Sequence, residues 1–200
     1  IMGQATSVAA LEPLERLSGP APIRLDDAEL WEELFSLQLP SSTAEELQQA
    51  SHAFCAEMAR NNAQSGNLQT LIRRTIDLIT LAQRPRANPG VLRQACNSVF
   101  LLRLFLKHMI ETLDADALIT HLATPQEDAA AAYTHMVDLS NPLAEALLTT
   151  LVHVRLSDDS YYLHMETSAA LAVCLSTQMF IPLAEPSPQP LAASILSSSG

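Results

Sequence analysis

The sequence predicts an all-α protein, and its composition leads to that fold class. The 200 residues are rich in Leu and Ala, contain only five glycines and are 4% aromatic. Leu and Ala are strong helix formers, whereas strands draw on aromatic and β-branched residues. Apolar residues make up 48% of the chain, enough for a sizeable core. We expect about seven or eight antiparallel helices, arranged as an irregular α-solenoid of the HEAT or armadillo kind or as a compact helical bundle.

The N-terminal region, residues 1–25, holds three prolines and little periodicity, so it is predicted to be a flexible arm. A helical domain over residues 26–181 follows. Its first helix is expected to begin at Asp26 or Asp27 and to end before Pro40. The expected packing face is Leu30, Trp31, Leu34 and Phe35. Trp31 is interpreted as a packing anchor of this helix rather than a binding hot spot.

The second helix has a capping signal at Ser42 and Thr43, because a glutamate follows each of them three residues later. Its apolar face is Leu47, Ala50, Phe54 and Met58, and it is expected to end near Asn61 and Asn62. Gly66 and Asn67 then supply a turn and a new cap. The third helix carries Leu68, Leu71, Ile72, Thr75, Ile76 and Ile79 along one stripe.

The polar turn of Asn61, Asn62, Gly66 and Asn67 admits two interpretations. Loops often carry function, so these residues could contact a partner protein. Asn and Gly also tolerate left-handed backbone at helix ends, and Asn caps helices. The sequence favours the structural interpretation.

Asn88 and Pro89 form a good cap and first turn for a long helix over residues 89–113. Residues 98–106 read SVFLLRLFL, which is nearly continuous apolar sequence. A spanning helix needs about 20 apolar residues, and the charges of Arg93, Arg103 and Lys107 interrupt this one. We therefore expect a helix buried among other helices.

Three further helices are expected before the last one. Asp114 would cap a short helix through Leu118 and Leu122. Thr124 and Pro125 would begin another, with Glu127 and Asp128 in its first turn. The next would start at Ser140-Asn141-Pro142 and pack through Leu143, Leu147, Leu151 and Val154.

The last helix would be capped by Ser157-Asp158-Asp159 and ended by Pro182. Its expected packing side is Tyr162, Met165, Ala169, Ala172 and Met179. Residues 182–200 are rich in Pro and Ser, a composition that cannot support a core, so they are predicted to be a mobile tail or linker.

The charge of the chain argues against nucleic-acid binding. The formal net charge is −11, and Lys107 is the only lysine. An acidic surface repels phosphate and disfavours broad contact with anionic lipid. The three cysteines, Cys55, Cys96 and Cys174, lie far apart and are interpreted as buried, reduced side chains of a cytosolic protein.

No arrangement of residues indicates an enzyme. The six histidines are scattered and show no spacing typical of zinc ligands. His164 and Glu166 are near in sequence but would point to different faces of a helix. The five glycines occur singly and form no phosphate-binding loop. We predict no catalytic residue, no metal site, no cofactor and no small-molecule substrate.

Residues 2–7, Met-Gly-Gln-Ala-Thr-Ser, fit the pattern for N-myristoylation. If Met2 is the initiator and is removed, Gly3 becomes an N-terminal glycine able to carry the acyl chain. Ile1 precedes Met2, so the prediction applies only where Met2 begins the protein. Arg16 and Arg24 are the only basic residues between Gly3 and Leu25, so no polybasic segment supports the lipid.

Six short segments share the order and spacing of one known family over about residues 2–180. They are Met2-Gly3, LERLSG at 14–19, the Trp31 helix after Asp26-Asp27, NNAQSGNLQTLI at 61–72, the apolar helix 96–107, and 166–180 with its LSTQMF ending. Together they resemble the N-terminal part of the dymeclin family. Residues 83–92 and 123–140 match poorly, as variable loops or surface helices would. The family is longer, so the chain would be its N-terminal portion or a shortened member.

The resemblance implies a non-enzymatic, helical peripheral membrane protein that exchanges between cytosol and Golgi and acts in Golgi organisation and vesicle traffic. It implies an N-myristoyl group on the residue that matches Gly3. The partners would be the Golgi or vesicle membrane and proteins of the trafficking machinery. The alternative is a soluble cytosolic helical-repeat scaffold with no lipid anchor.

Overall fold

The helical class is confirmed by a computed structural model that describes residues 12–36, 44–127, 134–176 and 195. Within these ranges the chain forms eight helices and one two-stranded ribbon. The helices are α1 Glu12–Ser18, α2 Ala28–Ser36, α3 Ala44–Ser65, α4 Asn67–Ala82, α5 Pro89–Thr112, α6 Ala115–Leu122, α7 Ser140–His153 and α8 Tyr161–Ser176. The strands are β1 Ala123–Glu127 and β2 Thr134–Asp138.

Helix α5 is the centre of the structure, with α2, α3, α4 and α8 packed around it. Apolar side chains lie around most of its circumference, and from Leu92 to Ile110 they are largely buried. Such a helix is stable only when neighbours cover several of its sides. The predicted burial of this helix is therefore confirmed. In the described part of the chain, no helix combines the length and the apolar character needed to cross a bilayer.

Local capping sets several helix boundaries, as predicted. The side-chain oxygen of Asn88 accepts a hydrogen bond from the amide of Val91 at 2.9 Å, at the start of α5. Asp114 accepts one from the amide of Ala117 at 2.8 Å, at the start of α6. Each bond satisfies an amide that the helix itself leaves without a partner.

The predicted face of α2 is also confirmed, since Leu30, Trp31, Leu34 and Phe35 are all buried. The rings of Trp31 and Phe35 stack with centroids 5.6 Å apart. The indole nitrogen of Trp31 donates to the carbonyl of Arg24 at 3.2 Å. Trp31 is thus a packing anchor that also satisfies its polar atom.

The predicted arm over residues 1–25 is wrong for the part that the structure describes. Helix α1 packs against α3, and the side chains of Leu14 and Leu17 are 4% and 0% exposed. Seven residues with two large apolar side chains give almost no periodic signal. Pro13 suggested irregular chain, but proline is tolerated in the first turn of a helix, where its missing amide has no partner to lose. Residues 1–11, including Gly3, lie outside the described residues.

The helix predicted to begin at Thr124 and Pro125 is wrong, because β1 and β2 pair there as an antiparallel ribbon. Ala123 pairs with Asp138 and Glu127 with Thr134. Pro125 also fits β1, because both strands of a two-stranded ribbon are edge strands and an edge strand tolerates a residue without an amide hydrogen. Asp128 lies outside the described residues.

Helix α3 ends later than predicted, at Ser65 rather than near Asn61 and Asn62. Gly66 follows with φ of +68°, a left-handed conformation that favours glycine, and its amide donates to the carbonyl of Asn62 at 2.9 Å. Of the predicted α3 face, Met58 is buried and Phe54 is half-buried. The predicted cap residues Ser42 and Thr43, and the side chains of Leu47 and Ala50, lie outside what is described.

The predicted packing side of α8 is wrong. Its buried residues are Leu163, Thr167, Ala170, Leu171 and Cys174. Tyr162 and Met165, predicted to be buried, are 55% and 49% exposed. Apolar residues occur on all sides of α8, so the periodicity of its sequence does not single out one face. Contacts with α5 and α7 decide which of its side chains are buried.

The predicted cap of α8 is corrected as well. Ser160, not Ser157-Asp158-Asp159, caps the helix, since its carbonyl accepts from the amide of His164 at 3.1 Å. Its hydroxyl accepts from the amide of Ser157 at 2.9 Å and fixes the preceding turn. Met179 and the predicted end at Pro182 lie outside the described residues.

Helix α7 begins at Ser140 as predicted, and Leu143, Leu147 and Val154 are buried. Leu151 was predicted on the same face but is 36% exposed. Of the predicted tail, residues 182–200, only Ile195 is described, and it is buried in the core. The other residues of the predicted tail lie outside the described residues.

Candidate functional site

The one predicted site residue, Gly3, lies outside the described residues. The nearest described element along the chain is α1. The candidate site is therefore the surface formed by α1, the connection from Gly19 to Asp27, and the turn between α3 and α4.

Asn67 is the main polar link between α1 and the rest of the protein. Its side chain is fully buried, and its amide nitrogen donates to the carbonyls of Leu17 at 3.0 Å, Gly19 at 3.3 Å and Ala21 at 3.0 Å. Its oxygen accepts from the amide of Ile23 at 2.8 Å. One side chain thus satisfies the carboxyl end of α1 and the segment after it, groups that would otherwise lack partners.

Asn61 and Asn62 extend this link. The amide of Asn61 donates to the carbonyl of Ser18 at 2.9 Å. The oxygen of Asn62 accepts from the amide of Leu68 at 2.7 Å, so a residue of α3 caps α4. Its nitrogen lies 2.9 Å from Nδ1 of His121 on α6. These contacts support a structural role for the four residues, but the predicted cap is wrong. Gly66 is the N-cap of α4, Asn67 is its first residue, and Asn61 and Asn62 lie within α3.

Burial lowers the pKa of His121, because the charged imidazolium loses hydration there. The neutral ring can accept the hydrogen bond of Asn62 at Nδ1. Gln69 adds a further link by donating to the carbonyl of Ala123 at 3.0 Å. The side chains of Asn62, His121 and Gln69 therefore link α3, α4 and α6 to one another and to the start of the ribbon.

A groove of about 550 Å³ lies between α1 and the connection that follows it. Its lining is Glu12, Glu15, Arg16, Gly19, Pro20, Ala21, Pro22, Ile23, Arg24 and Asp27. Half of these residues are charged, and the groove is open to solvent. An acyl chain needs an apolar enclosure, so this groove does not suit one.

The two basic residues of this surface are already paired. Arg16 contacts Asp27 at 2.9 Å, and Arg24 contacts Asp26 at 2.8 Å. The hydrogen bond from Arg24 lowers the pKa of Asp26, which keeps that carboxylate charged. Glu12 and Glu15 add further negative charge, so the surface around α1 carries no net positive charge to attract anionic lipid.

Three other histidines of the described residues make structural contacts at separate places. His52 and His108 meet edge to face with ring centroids 5.3 Å apart, and Nε2 of His164 lies 3.0 Å from the carbonyl of Val154. Glu166 faces away from His164 and pairs with Arg103 of α5 at 2.9 Å, a contact that sequence reasoning missed. No group of three potential metal ligands lies together within the described ranges.

The three cysteines are buried and form no disulfide bond, as predicted. Burial raises the pKa of each thiol to about 12. At neutral pH they are therefore protonated and poor nucleophiles.

Comparison with known proteins gives one consistent relationship. The family model described as "Dymeclin: Dyggve-Melchior-Clausen syndrome protein" matches residues 2–197. Dymeclin of Mus musculus is 29% identical over 177 residues, which cover 84% of this chain and 26% of that protein. Dymeclin of Rattus norvegicus is 33% identical over 184 residues, with 84% and 27% covered. The chain thus spans about a quarter of the length of these relatives. No solved structure matches it significantly.

Proposed function

The chain belongs to the dymeclin family, and on that premise we propose that it is a non-enzymatic peripheral membrane protein attached reversibly to Golgi membranes by an N-myristoyl group on Gly3. The observation that carries the proposal is the Met2–Ser7 signal. The family match begins at Met2 and includes this signal.

The myristoyl group alone would bind the protein to the membrane only weakly. A single myristoyl chain has an association constant of about 10⁴ M⁻¹, and stable anchoring takes a second signal. Free basic residues near the membrane would add about 1 kcal/mol each. Arg16 and Arg24 are already paired with aspartates, so they contribute little of this attraction. The protein would therefore exchange between membrane and cytosol.

Beyond membrane attachment, the helical body would act as a scaffold in Golgi organisation and vesicle trafficking. Its helices pack on α5 through apolar side chains, and charged residues lie mainly outside. We propose that this body is part of an irregular α-solenoid. In such an array, stacked helices offer extended surfaces to proteins of the trafficking machinery.

The test is the mass of the N-terminus in protein purified from its own cells. A glycine terminus at Gly3 with an added myristoyl mass is the expected result. An unmodified terminus, or one that begins at Ile1, would remove the lipid anchor. The protein would then be better described as a soluble helical-repeat scaffold.

A matched pair of variants links the modification to the membrane. Gly3→Ala removes the acceptor, whereas Gln4→Ala changes a position where the signal accepts any residue. We expect Gly3→Ala to lose labelling by a myristate analogue and to leave the membrane pellet. Gln4→Ala should retain both. Equal membrane binding by the two variants would contradict the proposal.

A further inference from the structure

The region around the connection between α4 and α5 is basic, although the chain as a whole carries a net charge of −11. Residues 73–93 contain five of the 11 basic side chains and a single acidic one, Asp77. Residues 78–110 contain no Asp or Glu. A local excess of positive charge on an otherwise acidic protein raises the local concentration of anionic ligands.

Three of these arginines, Arg84, Arg86 and Arg93, are exposed and lie close together, and we call them the arginine cluster. The carbonyl of Arg84 accepts a hydrogen bond from the amide of Ala87 at 3.1 Å, which closes a tight turn that contains Arg86. Arg93 is the fifth residue of α5, the helix that follows this turn. No two α-carbons of the cluster are therefore more than about 20 Å apart.

The arginine cluster has no acidic partner among the described residues. The ion pairs of that part of the chain involve five other cations, namely Arg16, Arg24, Arg60, Arg103 and Lys107. Helix α7 lies beside the turn, because Gln83 donates to the hydroxyl of Thr149 at 2.9 Å. The acidic residue of α7 is Glu145, one helical turn before Thr149, and it pairs with no described cation. The charge of the cluster is thus available to an external ligand.

Arg86 also has a backbone conformation that an arginine adopts only at a cost. Its φ is +65°, and the only other positive φ among the described residues belongs to Gly66. This left-handed region is strained for any residue with a β-carbon, and such strain is often found at functional sites. No ion pair of the guanidinium with a described residue offsets the strain. This favours a role for the Arg86 side chain outside the described structure.

From these observations we propose that the arginine cluster binds the phosphate groups of an anionic membrane surface. An exposed turn can meet a flat layer of headgroups, and a guanidinium group donates paired hydrogen bonds to phosphate oxygens. Each free basic residue near such a surface strengthens binding about fivefold, so the three arginines together contribute about 100-fold. Acidic residues elsewhere oppose the contact only weakly, because charges more than about 8 Å apart are screened at physiological salt.

The arginine cluster supplies the second signal that a single acyl chain needs, and this step rests on the proposed N-myristoyl group. Helix α4 begins beside α1, where Asn67 binds the carbonyl of Leu17, and its 16 residues are about 24 Å long. The nine peptide units from Gly3 to Glu12 extend to about 30 Å at most. An acyl chain on Gly3 can therefore enter the same membrane that the α4–α5 turn contacts.

Vesicle sedimentation of the N-myristoylated chain tests the proposal. Wild type should bind mixed phosphatidylcholine and phosphatidylserine vesicles about 100-fold more tightly than vesicles of phosphatidylcholine alone. Arg84→Gln/Arg86→Gln should lower binding to the mixed vesicles about 25-fold and leave binding to phosphatidylcholine unchanged. The matched control is Arg60→Gln/Lys107→Gln, which makes the same change in net charge at exposed cations that already have carboxylate partners. It should bind both kinds of vesicle as wild type does.

Arg86→Gly separates binding from folding. Glycine adopts a φ of +65° without strain, so this variant should be at least as stable as wild type in urea unfolding. It should nevertheless bind the mixed vesicles about fivefold more weakly. Unchanged vesicle binding would contradict the proposal, and so would a loss of stability that accounts for weaker binding.

Other results would overturn the membrane assignment. Equal binding of wild type to the two kinds of vesicle would do so, as would equal losses in the two double variants. Inorganic phosphate at the concentration of the lipid phosphate should not displace the protein, because it does not form a surface. Displacement would indicate a site for free phosphate, and tighter binding to polyglutamate than to mixed vesicles would indicate an acidic protein partner.

The two kinds of vesicle also separate this proposal from the proposed function. Binding to phosphatidylcholine depends on the acyl chain, whereas the added binding to phosphatidylserine depends on the arginine cluster. A myristoylated chain with no preference for phosphatidylserine would refute the cluster and leave the anchor standing. If the native N-terminus lacks myristate, the unmodified chain should still prefer the mixed vesicles, measured at higher lipid concentration.

Discussion

Replacing Asn67 by Asp changes one side-chain nitrogen to oxygen and so tests how the N-terminal helix is held. The native side chain donates to the carbonyls of Leu17, Gly19 and Ala21 and accepts from the amide of Ile23. A carboxylate keeps the acceptor but loses every donor. It also places negative charge against three carbonyl oxygens in a fully buried position.

The expected cost follows from these contacts. Each lost neutral hydrogen bond costs about 1 kcal/mol net, and a buried acceptor left without a partner costs about 1–3 kcal/mol. Leu17 is buried, whereas Ala21 is exposed, so only part of the loss can be recovered through water. We expect Asn67→Asp to lower the free energy of unfolding by about 3–5 kcal/mol at neutral pH.

The pH dependence has a definite sign. Burial beside carbonyl oxygens would raise the pKa of the new carboxyl group above its unfolded value of about 3.9. The folded variant then binds more protons than the unfolded chain at mildly acidic pH. Its stability relative to wild type therefore rises as the pH falls from neutral towards 4. The protonated group regains one donor.

Urea unfolding measures both effects, with the fluorescence of the single tryptophan as the signal. Trp31 is buried on α2 and bonds to the carbonyl of Arg24, close to the perturbed segment. Asn88→Asp is the matched control, because Asn88 is exposed and only accepts, at a helix N-terminus where negative charge is favourable. Its stability should change by less than about 0.5 kcal/mol. Equal losses in the two variants, or no recovery of Asn67→Asp in acid, would refute the reasoning.

Two further predictions concern titratable groups. Burial lowers the pKa of His121, so the unfolded chain binds a proton at a higher pH than the folded protein does. Wild-type stability should therefore fall as the pH drops below about 6.5. His121→Gln should flatten this dependence in urea unfolding from pH 7.5 to 5.5, and an unchanged slope would exclude His121 as its source. Because burial raises the pKa of Cys55, Cys96 and Cys174 to about 12, an aromatic disulfide reagent should react with them only after urea is added. Rapid reaction of the folded protein would contradict their burial.

The sequence by itself determined the helical class and the helix boundaries that depend on short-range contacts. Asn88 and Asp114 cap helices through bonds to residues three positions later. The face of α2 follows from apolar residues at helical spacing, which local sequence displays directly. The match of residues 2–7 to the myristoylation pattern is likewise local, and the modification of Gly3 stays a prediction.

Tertiary structure decided the features that join distant residues. Asn67 meets the carbonyl of Leu17 across 50 positions, and Asn62 meets His121 across 59. From the sequence, Asn62 and Asn67 could be interpreted only as turn residues, because no local pattern predicts a hydrogen-bond partner that is distant in the chain. Likewise α8 is apolar on all sides, so contacts with α5 and α7 chose its buried face and left Tyr162 and Met165 outside. Backbone hydrogen bonding and periodicity act within a few residues, whereas the choice of neighbour depends on what the rest of the chain brings into contact.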